Sequence, residues 1–181
     1  GSGRQQFLFD PYSGEYLGYA LPFGWRFTTW LLDLHDNLLA GGSGRTVNGV
    51  GAILLTGLGV TGAVIWWPGI GNWRRSLFID WRENWRRLTW SLHSVLGVWT
   101  LVFILMWGVT GIYLAFPGPF SAVVDYLEPF DEENFDPRLG DTVLYWFTTL
   151  HFGRFGGWST KLIWTVVGLL PPAMFVTGVV M

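Results

Sequence analysis

Charge is what this chain has least of. Only 13% of its residues are charged and 50% are hydrophobic, whereas soluble domains usually carry about 25% charged residues. The deficit is concentrated: Val47–Trp67, Val95–Phe116 and Leu162–Met181 hold no charge at all. At about 1.5 Å per residue each run can cross roughly 30 Å of hydrocarbon. Cysteine is missing altogether. That excludes disulfides, thiolate metal sites, iron–sulfur clusters and the attachment motif of c-type haem, so a redox centre must be held by histidine or another non-thiol ligand. A P-loop and a Gly-x-Gly-x-x-Gly turn after a strand are missing too, so reducing equivalents would come from quinol or another protein. No nucleic-acid partner is expected. The first residues are polar, with no apolar core of a signal peptide behind them. Both the start and the end, which falls inside an apolar run, read as cuts, so the expectation is a fragment or a short form of a longer protein.

What is present is organised. Thirteen tryptophans, among them Trp66, Trp67, Trp90 and Trp164 at span ends, fit an interfacial aromatic belt. Residues 5–21 place aromatic-rich runs on either side of Asp10-Pro11-Tyr12-Ser13-Gly14, which predicts a β-hairpin. An isolated hairpin is marginal, so it is expected to belong to a larger sheet. Phe27, Trp30, Leu31, Leu34, His35, Leu38 and Leu39 share one face of a helix over 27–39, with Gly41-Gly42-Ser43-Gly44 expected to end it. The predicted fold is therefore an all-α membrane protein with a short N-terminal β-hairpin, a periplasmic amphipathic helix and three transmembrane helices at about 47–67, 91–116 and 160–181. The hairpin segment is assigned to residues 1–26 and the transmembrane domain to 27–181. Pro171-Pro172 should kink the last span.

The loops set the orientation. The 68–88 loop carries Arg74, Arg75, Arg82, Arg86 and Arg87 against Asp80 and Glu83, whereas the 117–141 loop carries seven carboxylates and one base, Arg138. Lys and Arg in short loops mark the cytoplasmic side. The 68–88 loop is therefore expected to be cytoplasmic, and the acidic loop, the 27–39 helix and the hairpin periplasmic, across a bacterial inner membrane. The run Asp131-Glu132-Glu133 reads as a solvated loop, with attraction of a cationic partner or ferric complex as the alternative.

A repeat emerges when the loops are compared. Val143, Trp146, Phe147, Leu150 and His151 reproduce the spacing of Phe27, Trp30, Leu31, Leu34 and His35. A Gly pair and then a base follow each: Gly41-Gly42 and Arg45, Gly156-Gly157 and Lys161. Thr61-Gly62 and Thr177-Gly178 each begin 26 residues after their histidine, and the middle span has a looser version in Trp90, Leu92-His93 and Thr110-Gly111. Such internal similarity in a membrane protein points to a duplicated helix unit. Small residues such as Gly57, Thr61 and Gly62 read first as helix-packing positions and second as clearance for a cofactor.

The topology puts His35 and His151 near one membrane face and His93 near the other. An imidazole on an apolar face is costly unless satisfied. A carbonyl, a Trp N–H or water would do, but two histidines in matching repeat positions point to shared ligation of a metal or haem. Two neutral nitrogens within aromatic and aliphatic walls suit haem b better than zinc or copper, which need further ligands. Arg45, Arg154 and Lys161 are candidate partners for its propionates, or headgroup contacts.

Leu34-His35, Leu92-His93-Ser94-Val95-Leu96-Gly97, Leu150-His151-Phe152-Gly153-Arg154-Phe155-Gly156-Gly157 and the Asp10–Gly14 turn resemble the PepSY-associated transmembrane proteins over nearly the whole chain. The resemblance implies periplasmic PepSY regions, and it implies that some members are inner-membrane haem b proteins reducing ferric siderophores. By this resemblance His35 and His151 would ligate a periplasmic-side haem. His93 would ligate a cytoplasmic-side haem together with a histidine from a preceding span, a span with no counterpart in this sequence. The function implied is one-electron transfer by an oxidoreductase of ferric-chelate-reductase type, from quinol or a protein donor to a ferric siderophore or other Fe(III) chelate. The alternative is a non-catalytic membrane subunit scaffolding a larger respiratory or photosynthetic complex. A peptidase-regulating or transport module ranks third.

Overall fold

The computed structural model describes residues 7–20, 22–67, 71–73, 77–79, 81–82, 84–130 and 137–181. Arg74, Arg75, Asp80 and Glu83 of the arginine-rich loop and the acidic run 131–133 lie outside the described residues. The chain divides into two compact units, 1–51 and 52–181.

In the first unit β1 (Phe7–Phe9) pairs antiparallel with β2 (Tyr16–Tyr19), Phe7 opposite Tyr19 and Phe9 opposite Tyr16. The turn forms because the Asp10 carboxylate accepts from the amides of Tyr12 at 2.7 Å and Ser13 at 3.0 Å, an arrangement that short Asp side chains favour. The Ser13 amide first, and the Tyr12 amide second, hold the Asp10 carboxyl below the usual carboxylate range. Gly14 closes the turn at φ 71°, where a side chain would be strained.

Helix α1 (Phe23–Asn37) starts behind Pro22 and ends where Leu38 and Leu39 take left-handed φ values of 53° and 59°. This corrects the expectation that the glycine run ends the helix. The reversal falls on two leucines, and Gly41 opens α2 (Gly41–Trp66). The reason is steric: a Cβ at Gly44 would run into the Asn37 carbonyl, so glycine lets the start of α2 lie against the end of α1. Asn48 of α2 donates to the carbonyls of His35 and Asp36, and Arg45 pairs with Asp36. The Asn48 bonds satisfy carbonyls that a helix C-terminus leaves open.

The second unit is built round α3 (Trp85–Ala115), with Asn84 as its N-cap accepting from the Arg87 amide at 3.1 Å. α4 (Pro117–Leu127) and α5 (Leu139–His151) pack on its C-terminal half. The 117–141 segment is thus not only a solvated loop. Pro117 begins a helix, as proline without its N–H is suited to do, and Arg138 fastens α4 to the start of α5. The last span is two pieces, α6 (Gly157–Gly168) and α7 (Leu170–Val180), with Pro171 and Pro172 in the first turn of α7. The kink falls where expected, because neither proline can donate to the preceding turn.

Three helices are long and apolar enough to cross a membrane: Gly41–Trp66, Trp85–Ala115 and Gly157–Val180. Each begins earlier than the charge-free run it contains, since a helix continues past the hydrocarbon edge into polar residues. Large apolar side chains such as Leu58, Val102, Leu162 and Phe175 face outward, as they should where lipid is the solvent. Buried in the second unit are Val95, Ile104 and Val124 together with five threonines, Thr89, Thr100, Thr110, Thr149 and Thr160. Small residues let helices approach in lipid. The hydroxyls of Thr89, Thr100 and Thr110 donate to carbonyls four residues back, so these three are carried inward with their protons satisfied. Gly108 gives a close contact between α3 and α2: Thr56 of α2 fills the space a Cβ would need.

Candidate functional site

His93 lies in the third turn of α3 and faces α7. Its Nδ1 is 3.1 Å from the Met174 carbonyl oxygen and 3.0 Å from Thr177 Oγ1. A carbonyl can only accept, and the Thr177 hydroxyl itself donates to that same carbonyl at 3.0 Å. Nδ1 is therefore the donor in both contacts. A neutral imidazole carries one N–H, so the lone pair resides on Nε2. Gly178, beside Thr177, leaves room for the ring: a Cβ there would stand 3.3 Å from His93 Cε1. Met174 is held in turn by Thr100, whose Oγ1 is 3.3 Å from Sδ.

His151 is the last residue of α5 and meets the other end of α3. Its Nδ1 is 2.8 Å from Thr110 Oγ1. Thr110 Oγ1 also lies 2.7 Å from the Met106 carbonyl oxygen; with its hydroxyl proton directed there, Thr110 accepts from Nδ1–H and the imidazole lone pair is left on Nε2. Gly111 stands beside Thr110, with the His151 ring 3.7 Å from where its Cβ would be. The carbonyl before the histidine is also fixed, since Trp164 Nε1 of α6 donates to Leu150 O at 2.7 Å. Phe103, Trp107 and Phe155 pack edge-on against Trp164 or close to it. Gly153, at φ 63°, turns the chain directly beneath that indole, where a Cβ would come within 2.9 Å.

The two histidines are thus seated alike at opposite ends of α3, about 25 Å apart along its axis at the usual helical rise. His35 belongs to the first unit. It lines an open groove of about 360 Å³ with Leu31, Leu34, Leu38 and Asn48. Its backbone carbonyl is held by Asn48, and the neighbouring Asp36 carboxyl is kept below the usual range chiefly by the hydrogen bond from Arg45. The other basic candidates have neighbours of their own: the Arg154 guanidinium lies 4.6 Å from the Phe152 ring centre and the Lys161 ammonium 5.3 Å from that of Trp158.

A model of the PepSY-associated TM region matches this sequence in two stretches, residues 1–132 and 128–181. The chain belongs to the PepSY-associated transmembrane family. Comparison with curated proteins and with solved structures gave no match. Among the described residues of this PepSY-associated chain, no three His, Asp or Glu side chains converge as a metal cluster would require. The donor chemistry is instead that of separate imidazoles with Nδ1 protonated, and this fits axial ligation of a haem through Nε2, which asks one nitrogen of each residue. The threonine partners were not anticipated from sequence. Their one trace there was the recurrence of Thr-Gly in all three spans.

Proposed function

We propose that the chain is a haem b-binding electron-transfer protein of the bacterial inner membrane that reduces an Fe(III) chelate, such as a ferric siderophore, on the periplasmic side. The observation that carries this reading is the pair of like seats on α3, where Nδ1 of His93 and of His151 each lie within hydrogen-bond distance of a threonine hydroxyl, an arrangement that suits ligation through the other ring nitrogen. Metal-bound histidines characteristically donate their other ring N–H to an oxygen acceptor. The sequence repeat supports His35 and His151 as two ligands of one periplasmic-side iron, with His93 serving a cytoplasmic-side position. Bound haem supplies one-electron chemistry. The chain would supply imidazole nitrogens to hold it, with Thr110 and Thr177 orienting the His151 and His93 rings. Quinol or a protein partner is the proposed donor.

A pyridine haemochrome assay on the purified chain tests this directly, with one b-type haem per chain expected. His35→Ala and His151→Ala should each abolish the same low-spin signal, and the double variant should be little worse, because two ligands of one site are non-additive. Normal low-spin spectra in both single variants would refute shared ligation. One observation favours a second reading, a scaffolding subunit of a larger complex. The most apolar stretch of the last span has 0% of its residues buried and that of α2 only 6%, which leaves long faces for other helices. Tight co-purification with a membrane partner and no haem band would select that reading.

A further inference from the structure

We propose that Thr110, and Thr177 together with the Met174 carbonyl, are positioning groups that lock His151 and His93 as Nδ1–H tautomers, each Thr-Gly pair forming the seat for a histidine delivered by another helix.

The inference begins with proton accounting. A threonine hydroxyl has one proton and two lone pairs. Thr110 spends its proton on Met106 O at 2.7 Å, and Thr177 spends its own on Met174 O at 3.0 Å. Both can then only accept at the remaining contact, 2.8 Å to His151 Nδ1 and 3.0 Å to His93 Nδ1. In water a neutral histidine side chain prefers its proton on Nε2, so the seats invert the intrinsic preference. The glycine after each threonine completes the seat. In both places the ring carbon Cε1 lies against the vacant Cβ position, at 3.7 Å for Gly111 and 3.3 Å for Gly178. The first seat is also dry: Thr110 is 3% exposed, and an unpartnered Nδ1–H would be costly there; at the second, Thr177 is half-buried. The two seats join different helix pairs, α3 with α5 and α7 with α3, and they agree in proton direction and in the position of the small residue. That recurrence is not required by packing alone.

The functional consequence rests on the reading of His93 and His151 as ligands, but the tautomers do not. Donation from Nδ1 to oxygen makes Nε2 a stronger base. That favours the higher oxidation state of a coordinated iron and lowers its midpoint potential.

The experiment uses the full chain in lipid nanodiscs, labelled with ¹⁵N-histidine, at mildly alkaline pH. Single His→Gln variants assign the three rings. The expected spectrum shows protonated Nδ1 and unprotonated Nε2 for His93 and His151 before any haem is added. Thr110→Val should move His151 to a majority Nε2–H population without touching His93. Thr177→Val should leave His93 with Nδ1 protonated, because the Met174 carbonyl still accepts from it. Thr110→Ser and Thr177→Ser, which keep the oxygen, should retain the native pattern. In haem-loaded chain Thr110→Val should raise the midpoint potential of the His151 site and Thr110→Ser should not. Nε2–H tautomers in the native chain, or a His151 tautomer that Thr110→Val leaves unmoved, would overturn the proposal. Should a Val variant fail to fold, the native spectrum still decides. Native Nδ1–H tautomers in a chain that takes up no haem would refute the ligand role while upholding the seats.

Discussion

Gly108 shows how little room a single side chain has in this protein. Thr56 Oγ1 occupies the place of the missing Cβ, and the Thr56 backbone Cα would be 3.5 Å from it. Thr56 cannot readily swing away, because it is β-branched and its hydroxyl is bonded to Ala52 O at 2.8 Å. Gly108→Ala should therefore cost about 1–3 kcal/mol, the usual range for overpacking. Unfolding of the detergent-solubilised chain by heat or by SDS measures it. Adding Thr56→Ala removes the obstructing oxygen and should recover a good part of the loss. A Gly108→Ala chain as stable as the native one would show that α2 and α3 do not meet this closely. Gly111 and Gly178 look equivalent to Gly108 in the sequence, yet they face imidazoles rather than a neighbouring helix's threonine.

Among the elements, the junction of α4 and α5 depends most on charge. Arg138 reaches Asp125 at 2.8 Å, Asp141 at 2.8 Å and the Glu128 carbonyl at 3.0 Å. Glu128 in turn accepts from the Gly140 amide at 2.9 Å. The Arg138 hydrogen bond holds the Asp141 carboxyl below the usual carboxylate range. A depressed folded-state value stabilises the fold above the ordinary carboxylate pKa, and the contribution is lost as pH falls through the depressed value. Arg138→Gln should therefore lower the melting temperature modestly at neutral pH, as exposed ion pairs allow. The gap from the native chain should close on acidification below about pH 4. A gap that persists at acid pH would mean Arg138 acts by packing alone. Two elements here depart from their sequence reading for local reasons. The acidic segment folds at Pro117 because proline favours a helix start, and α1 reverses at Leu38–Leu39 because Gly44 lets α2 crowd against it.

For the whole molecule, three membrane-crossing helices leave one open question of direction. The arginine surplus between α2 and α3, set against the carboxylates between α3 and α5, predicts that a reporter fused after Trp81 reads as cytoplasmic. One fused after Glu128 should read as periplasmic. Reversed reporters would also reverse the assignment of His151 to the acceptor side. The seats on α3 constrain the arrangement further, because α3 holds its two histidines about 25 Å apart and no single iron can serve both.

By itself the sequence determined the three spans, the hairpin turn, the amphipathic faces carrying His35 and His151, and the kink at Pro171-Pro172. Each follows from interactions between residues a few positions apart: backbone hydrogen bonds that must close within a helix in lipid, side chains repeating at helical period, an Asp carboxylate reaching amides two and three residues on. The sequence also showed that Thr-Gly recurs after each histidine, and read it as a helix-packing position. The tertiary structure decided which histidine two of these pairs meet. Thr110 meets His151, 41 residues on, and His93 meets Thr177, 84 residues on. A span carries its Thr-Gly pair to the membrane face opposite the histidine that precedes it, so only an antiparallel neighbour can bring a ring to it. Which helix becomes that neighbour is settled by close contacts such as Gly97 with Met174 and Gly59 with Leu105. Those contacts depend on surface shapes that no local pattern encodes.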